Sequence, residues 1–238
     1  MKLLRIWFVY VVMFGSLTVG NVYAAGGDDP LLMSLKFDEF QVNQEEGETP
    51  LEWNMSAWVG KDLSKVYLKS SGEYADGEVE GMETQLLYSR AISPYWDMQF
   101  GLRQDSFPTT DRNYVAFGFM GVAPYFIETD VGLFYDTDTG QVALQYAGEM
   151  EWMITQRLVF IPELKVNLYS QDDTAIGIGS GLSDMFFGMR LAYEIKREFA
   201  PYIGIGWAKK FGSTADQAVA AGGEDSDTEV GIGVSFWF

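Results

Sequence analysis

The chain has 238 residues, with 34 acidic and 16 basic side chains and neither histidine nor cysteine. Without histidine there is no Ser-His or Asp-His catalysis and no imidazole-ligated metal; without cysteine there are no disulfides and no thiolate ligands. No spacing picks out an all-carboxylate or Ser-Lys site, so an enzyme is not expected, and the acidic excess argues against nucleic acid as a partner.

The first element reads as a signal peptide. Lys2 and Arg5 form a basic start, Ile6 to Val19 is apolar, and Val22-Tyr23-Ala24 offers small residues at a cleavage site. Residues 1–24 are therefore expected to be cleaved. Residues 25–30 then form a short N-terminal segment, and 31–238 a single folded unit. Removing Lys2 and Arg5 leaves 14 bases against 34 acids, a net charge of −20. No later segment approaches the ~18 consecutive apolar residues of a membrane helix. Aromatics make up 16% of the chain, yet mean hydropathy is only −0.03. A β-barrel whose alternate residues touch lipid has this composition.

From Leu31 onward the residues alternate with a period of two. Leu31, Met33, Leu35 and Phe37 oppose Ser34, Lys36 and Asp38. Leu51, Trp53, Met55, Ala57 and Val59 oppose Glu52, Asn54 and Ser56. A weaker segment runs from about Lys65 to Tyr74, and Met82, Thr84, Leu86 and Tyr88 oppose Glu83 and Gln85. Trp96, Met98, Phe100 and Leu102 alternate with Asp97, Gln99 and Arg103, and similar segments follow around Val131, Leu144, Leu164 and Met189. The expected fold is all-β, a transmembrane antiparallel up-and-down barrel of about twelve strands.

The connections read alternately long (42–50, 75–81, 104–112, 136–140, 170–182, 212–227) and short (60–64, 90–94, 122–124, 153–156, 196–200). Outer-membrane barrels pair long outer loops with short periplasmic turns. The long connections hold acids, among them Glu45, Glu46, Glu48, Asp76, Glu78, Glu80, Asp136, Asp138, Asp172, Asp173, Glu224, Asp225 and Asp227. The short ones hold Lys61, Lys65, Arg90, Arg157, Lys196 and Arg197. The final strand places Val230, Ile232, Val234, Phe236 and Phe238 on one face. This is the kind of carboxyl-terminal signal that the bacterial barrel-assembly machinery recognises. Outer-membrane lipid and lipopolysaccharide are the expected surroundings.

With apolar residues outward, the charged residues expected to line the lumen are Asp97, Arg103, Glu128, Asp130, Glu149, Glu151, Glu163, Lys165, Arg190 and Glu194, with Lys69, Glu73, Glu83 and Asp184 beside them. About twelve strands lie between side-chain-filled small barrels and open porins, so a narrow or blocked pore is expected. Glycines 188, 204, 206, 231 and 233 gather on the inner face, where missing side chains leave room for something opposite or permit sharp curvature, the latter being the expected reason. Thioethers suit Cu(I). Of the nine methionines after the signal, however, only Met120, on an inner face, and Met153, in a short turn, escape the lipid-facing parity. They are the candidate metal ligands.

Several longer blocks resemble the copper resistance protein B family: Trp58-Val-Gly-Lys-Asp-Leu63; Leu86-Leu-Tyr-Ser-Arg-Ala-Ile92 with Pro94-Tyr-Trp-Asp97; Thr155-Gln-Arg-Leu158 with Pro162-Glu163; Gly177-Ile-Gly-Ser-Gly-Leu-Ser-Asp184; and Arg197-Glu-Phe-Ala-Pro-Tyr-Ile-Gly204. The similarity runs from about Asp29 to Phe238. It implies an outer-membrane barrel in copper homeostasis and tolerance, copper ion as its ligand, and periplasmic copper-handling proteins as partners. It also implies a methionine- and histidine-rich segment ahead of the barrel. Only Ala25, Gly26, Gly27, Asp28, Asp29 and Pro30 stand between the expected cleavage site and Leu31, so no family ligand transfers by position. Export, sequestration and restricted permeation of copper all stay open. So do a general narrow channel of weak cation preference and a barrel that docks periplasmic proteins through its basic turns. If the barrel itself binds copper, its carboxylates favour Cu(II).

Overall fold

The computed structural model describes residues 30–44, 49–75, 77–108 and 110–238. The expected signal peptide, Ala25 to Asp29, and the acids Glu45, Glu46, Glu48 and Asp76 lie outside the described residues. Twelve antiparallel strands follow in chain order: β1 (Leu32–Gln44), β2 (Leu51–Lys61), β3 (Ser64–Ala75), β4 (Glu78–Ser93), β5 (Trp96–Ser106), β6 (Asp111–Ala123), β7 (Ile127–Asp136), β8 (Val142–Glu149, continued by Trp152–Met153), β9 (Leu158–Tyr169), β10 (Gly181–Tyr193), β11 (Phe199–Lys210) and β12 (Ser226–Trp237). Each pairs with its chain neighbours, and β12 returns to β1 (Lys36 opposite Trp237, Val42 opposite Ile232), so the barrel is closed. Closure leaves no sheet edge, and every ladder can be satisfied within a membrane.

The outer surface is apolar and the interior polar. On β5, Phe100 and Leu102 are half exposed, while Gln99, Arg103 and Asp105 on either side of them are buried. The outward set continues through Leu86, Val115, Leu133, Ile203, Ile205, Val230 and Ile232, and exposed aromatics mark both ends of the band. Tyr74, Tyr135 and Trp207 lie toward one rim; Tyr95, Tyr125, Trp152, Phe199 and Phe238 lie at the other. This is the aromatic girdle pattern of a membrane barrel. The rim where β1 begins and β12 ends is the terminal rim below, and its opposite the distal rim.

Two local features shape the wall. In β1 the register shifts between Phe37 and Glu39, leaving Asp38 as an extra residue that resets the alternation. Glu39, Gln41 and Asn43 consequently point inward and are buried. In β8 the ladder breaks at Met150–Glu151, opposite Pro162 of β9. Pro162 accepts a bond from the Met150 N–H at 3.1 Å but has no N–H to return.

The connections depart from the expected alternation. Only residues 76–77 separate β3 from β4, and 107–110 separate β5 from β6, because both hairpins continue further than their polar sequences suggested. On the terminal rim the β8–β9 connection is residues 154–157, as short as expected although β8 is interrupted before it. Residues 212–227 are not simply a loop: they carry α1 (Gly212–Ala220). The terminal rim is also less basic than expected, because Asp62, Glu151, Glu194 and Glu198 accompany its lysines and arginines and Lys65 turns inward to Asp97.

Candidate functional site in the barrel lumen

Twelve strands leave more space than side chains fill, and the lumen is bridged rather than packed. Three groups of ion pairs span it. In the first, Lys69 of β3 reaches Asp130 of β7, bypassing three intervening strands, and donates to Gln99 Oε1 at 3.0 Å. Lys65 lies 3.8 Å from Asp97, which also accepts from Ser89 Oγ at 3.0 Å.

The second group is built on Arg103 of β5. Its guanidinium grips Asp105 through two bonds of 2.7 and 2.8 Å and Glu83 at 2.7 Å, and it donates to Gln145 of β8 at 3.2 Å. The Phe134 ring lies 4.3 Å beneath it, a cation–π contact within a buried cluster of Tyr67, Leu87, Tyr114 and Phe134. This wall of the lumen is the most apolar part of the interior.

The third group lies on the opposite wall. Arg190 of β10 contacts Glu149 at 2.8 Å, Glu39 at 3.6 Å and Glu163 at 3.7 Å, and donates to the Asp38 carbonyl at 3.0 Å. Lys165 bridges Glu39 and Glu163 at 3.5 and 3.6 Å. From there an amide chain climbs the barrel. Tyr202 donates to Gln41, Gln41 and Asn43 both donate to Glu52, and Asn43 also donates to Glu229 at 2.9 Å.

The inner-face glycines make this third group possible. A Cβ at Gly188 would lie 2.7 Å from Glu163 Cγ, and one at Gly233 would lie 2.6 Å from the Tyr202 ring. At Gly206 it would meet Phe186 at 2.6 Å. The glycines therefore make room for side chains from neighbouring strands, the first of the two expected reasons.

Between the groups runs a cavity of about 800 Å³, lined by Glu52, Lys69, Arg103, Asp130 and Lys165 and roofed near the distal rim by Ile178, Thr214 and Gln217. The roof is a clasp between α1 and residues 170–180. The buried Thr214 hydroxyl accepts from the Gly179 N–H at 2.8 Å and lies 3.0 Å from Ser183 Oγ. Asp172 accepts from the Ser180 N–H at 2.6 Å and from Ser213 Oγ at 2.8 Å, and these bonds hold its carboxyl below the usual carboxylate range. Lys209 does the same for Asp225, at 2.5 Å. On the other side of the mouth, Arg112 ties β6 to the 170–180 connection through Asp173 at 2.7 Å.

Of the residues expected to line the lumen, Asp97, Arg103, Asp130, Glu149, Glu163, Lys165 and Arg190 take part in these groups. Glu128 faces inward at the terminal end of β7, opposite Glu149. Glu151 and Glu194 stand past the ends of the regular strands, at the terminal rim. Glu39, Gln41, Asn43 and Glu229 were not anticipated. For the β1 residues the signal was present, since Leu35 and Phe37 fall out of phase with Phe40 and Val42. Met120 faces the lumen opposite Asp97 and Asp130, whereas Met153 is exposed at the rim. Val230, Ile232, Val234 and Phe236 hold the outward face of β12. Phe238 closes onto β1 by two backbone bonds with Leu35, of 2.8 and 3.0 Å. Among the described residues, no group of three or more acidic side chains is arranged to hold a metal ion.

Comparison with known proteins agrees with this architecture. The family model described as Copper resistance protein B precursor (CopB) matches residues 31–238. The Copper resistance protein B of Escherichia coli is 40% identical over 201 residues, covering 84% of this chain and 68% of that protein. A Copper resistance protein B homolog of Pseudomonas syringae pv. tomato is 34% identical over the same coverage. Among solved structures, a KdgM porin superimposes with a TM-score of 0.53 at 11% identity, and a NanC porin with 0.54 at 14% identity. Each alignment covers 86% of this chain and 99% of the porin. Such identities speak for the fold alone. The barrel resides in the outer membrane, with its apolar band against lipid and lipopolysaccharide.

Proposed function

The chain belongs to the copper resistance protein B family, and on that premise we propose that it is a non-enzymatic barrel that supports copper tolerance by restricted passage of copper ions across the outer membrane. The observation that carries this reading is the state of the lumen. It holds a charged cavity of about 800 Å³ lined by ion-paired side chains such as Lys69, Asp130 and Arg103, neither filled like a small barrel nor open like a wide porin. Small cations find carboxylates along this route, while larger solutes meet the cross-lumen struts. Assembly would proceed through the β12 strand, and periplasmic copper-handling proteins are the natural partners at the terminal rim. Copper tolerance and cell-associated copper in a deletion strain test the reading. If neither differs from the parent strain, it fails.

A second reading has its own support. The lumen carries both signs of charge, as a general narrow channel of weak cation preference would. Planar-bilayer recordings separate the two. Steady ohmic current that copper neither carries nor blocks supports the general channel.

A further inference from the structure

We propose that Asp97, Met120 and Asp130 form a transit site in the lumen wall for a soft monovalent metal ion. Cu(I) is the physiological candidate if the copper reading above holds, and the inference rests on that reading for its cargo. The three residues are lateral neighbours on consecutive strands: Met120 of β6 stands directly opposite Asp97 of β5 on one side and Asp130 of β7 on the other. Directly opposed residues in antiparallel strands lie roughly 4.5–5.5 Å apart, so three donors share one short stretch of wall. Among the described methionines, Met120 alone occupies a lumen-facing register position. Met33, Met55, Met82, Met98, Met185 and Met189 take the outward parity of their strands, although Met55 is buried and Met82 reaches the edge of the cavity, and Met150 and Met153 lie at the terminal rim.

The chemistry of the row favours a soft ion of low charge. Lys65 already accompanies Asp97 and Lys69 accompanies Asp130, so the two carboxylates are matched and a dication finds little surplus negative charge. What distinguishes the row from the three ion-pair groups is a thioether set directly between two carboxylates, a ligand suited to Cu(I). The sulfur is also held in position. Gln99, itself buried, gives its Oε1 to Lys69 and directs its Nε2 to Met120 Sδ at 3.8 Å and to Ser89 at 3.5 Å. A thioether has a second lone pair to offer. One soft and two matched hard donors make a weak site, and a conduction path needs ions to leave as readily as they enter.

Met120 also packs against the buried aromatic cluster, a role that leucine would fill equally well. That makes Met120→Leu the informative variant. The full chain, labelled with 13C at its methionine methyls and refolded in micelles, is titrated with Ag(I) as a redox-inert soft probe and with Cu(I) under reductant. The expected result is that one methyl resonance shifts at sub-millimolar metal and is absent from the spectrum of Met120→Leu, while Cu(II) and Mg²⁺ leave it in place. Asp97→Asn with Asp130→Asn should weaken the Ag(I) response several-fold, and heat-modifiable migration confirms that each variant folds. A spectrum in which no methyl shifts, or in which the shifting methyl survives in Met120→Leu, overturns the site. Copper passage that persists in Met120→Leu vesicles at the wild-type rate overturns its part in transit but leaves the copper reading intact. Ag(I) bound at Met120 in a barrel that passes no copper overturns the copper reading and keeps the site.

Discussion

Arg190 on β10 and Glu39 on β1 approach to 3.6 Å, although β11 and β12 lie between their strands. Glycine at 204, 206, 231 and 233 lines the wall between them, and a Cβ at Gly204 would lie 3.4 Å from Arg190 Cγ. One guanidinium thereby sits among three carboxylates, Glu39, Glu149 and Glu163, and only 7% of its side chain is exposed. Removing it should be costly. Breaking a buried ion pair from one side costs ~3–5 kcal/mol, and Arg190→Ala is expected to lower the urea midpoint of the refolded barrel accordingly. Arg190→Lys, which keeps the charge but loses the fork, should fall between the two. A midpoint for Arg190→Ala equal to wild type would show that the group contributes nothing to stability.

Lys69 offers the complementary experiment, because Asp130 is partly exposed and its loss is more easily tolerated. With solvent screening, Lys69→Met should destabilise by only ~1 kcal/mol. Its main effect should be on conductance. Removing a strut between β3 and β7 widens the lumen and leaves net negative charge there, so single-channel current and cation selectivity should both rise. Unchanged current in planar bilayers would place the limiting constriction elsewhere.

Gly233 tests the packing of the opposite wall. A methyl at that position would lie 2.6 Å from the Tyr202 ring and 2.8 Å from Gln41 Cβ. Overpacking of this kind costs ~1–3 kcal/mol. Gly233→Ala is expected to unfold at lower urea, while Gly81→Ala, where the added methyl meets nothing within 4 Å, should behave like the parent.

The distal clasp should respond to acid. Asp172 has a folded pKa below its ordinary 3.8, because Ser180 and Ser213 donate to its charged form. A depressed carboxylate contributes its full stabilisation above the unfolded pKa and loses it as pH falls through the lower folded value. Limited proteolysis at residues 170–180 should therefore be unchanged from neutral pH down to about 4 and accelerate only below 3.8. In Asp172→Asn the cleavage rate should be higher at neutral pH and lack this acid step.

Phe238 anchors the closure of the barrel. Its backbone exchanges two bonds with Leu35, and its ring packs edge-on against Phe236, which stacks on Phe37 at 4.6 Å. Deleting Phe238 should reduce the heat-modifiable, assembled form in outer membranes several-fold while leaving synthesis unchanged. A full yield of assembled barrel would remove the residue from the assembly step.

The strands were legible because lipid imposes a period of two, and Trp96 to Arg103 shows it without interruption. β1 was legible only up to Phe37. The pair Asp38-Glu39 places two acids where alternation allows one, and that irregularity marks the bulge. The strand ends were harder, since Glu78 and Glu80 read as loop but belong to β4, which extends past the apolar band. The helix had a signal in Thr214 to Ala221, where four alanines favour helix, but the surrounding glycines and acids outweighed it. The lumen was legible as a list of residues and not as a site. Parity fixes which side chains point inward, yet Lys69 and Asp130 are 61 residues apart. Nothing local couples such positions, because their meeting depends on the circumference of the closed barrel.

The bulge at Asp38 also changes what the lumen is made of. A regular strand commits every carbonyl to its neighbours, so a barrel interior ordinarily presents side chains alone. By interrupting the ladder, the extra residue frees one main-chain oxygen, and Arg190 binds it at 3.0 Å. That oxygen does not titrate and survives any side-chain substitution at position 38. A chain with Asp38 replaced by another residue would still hold Arg190 at that point, whereas a chain shortened by the one residue would not.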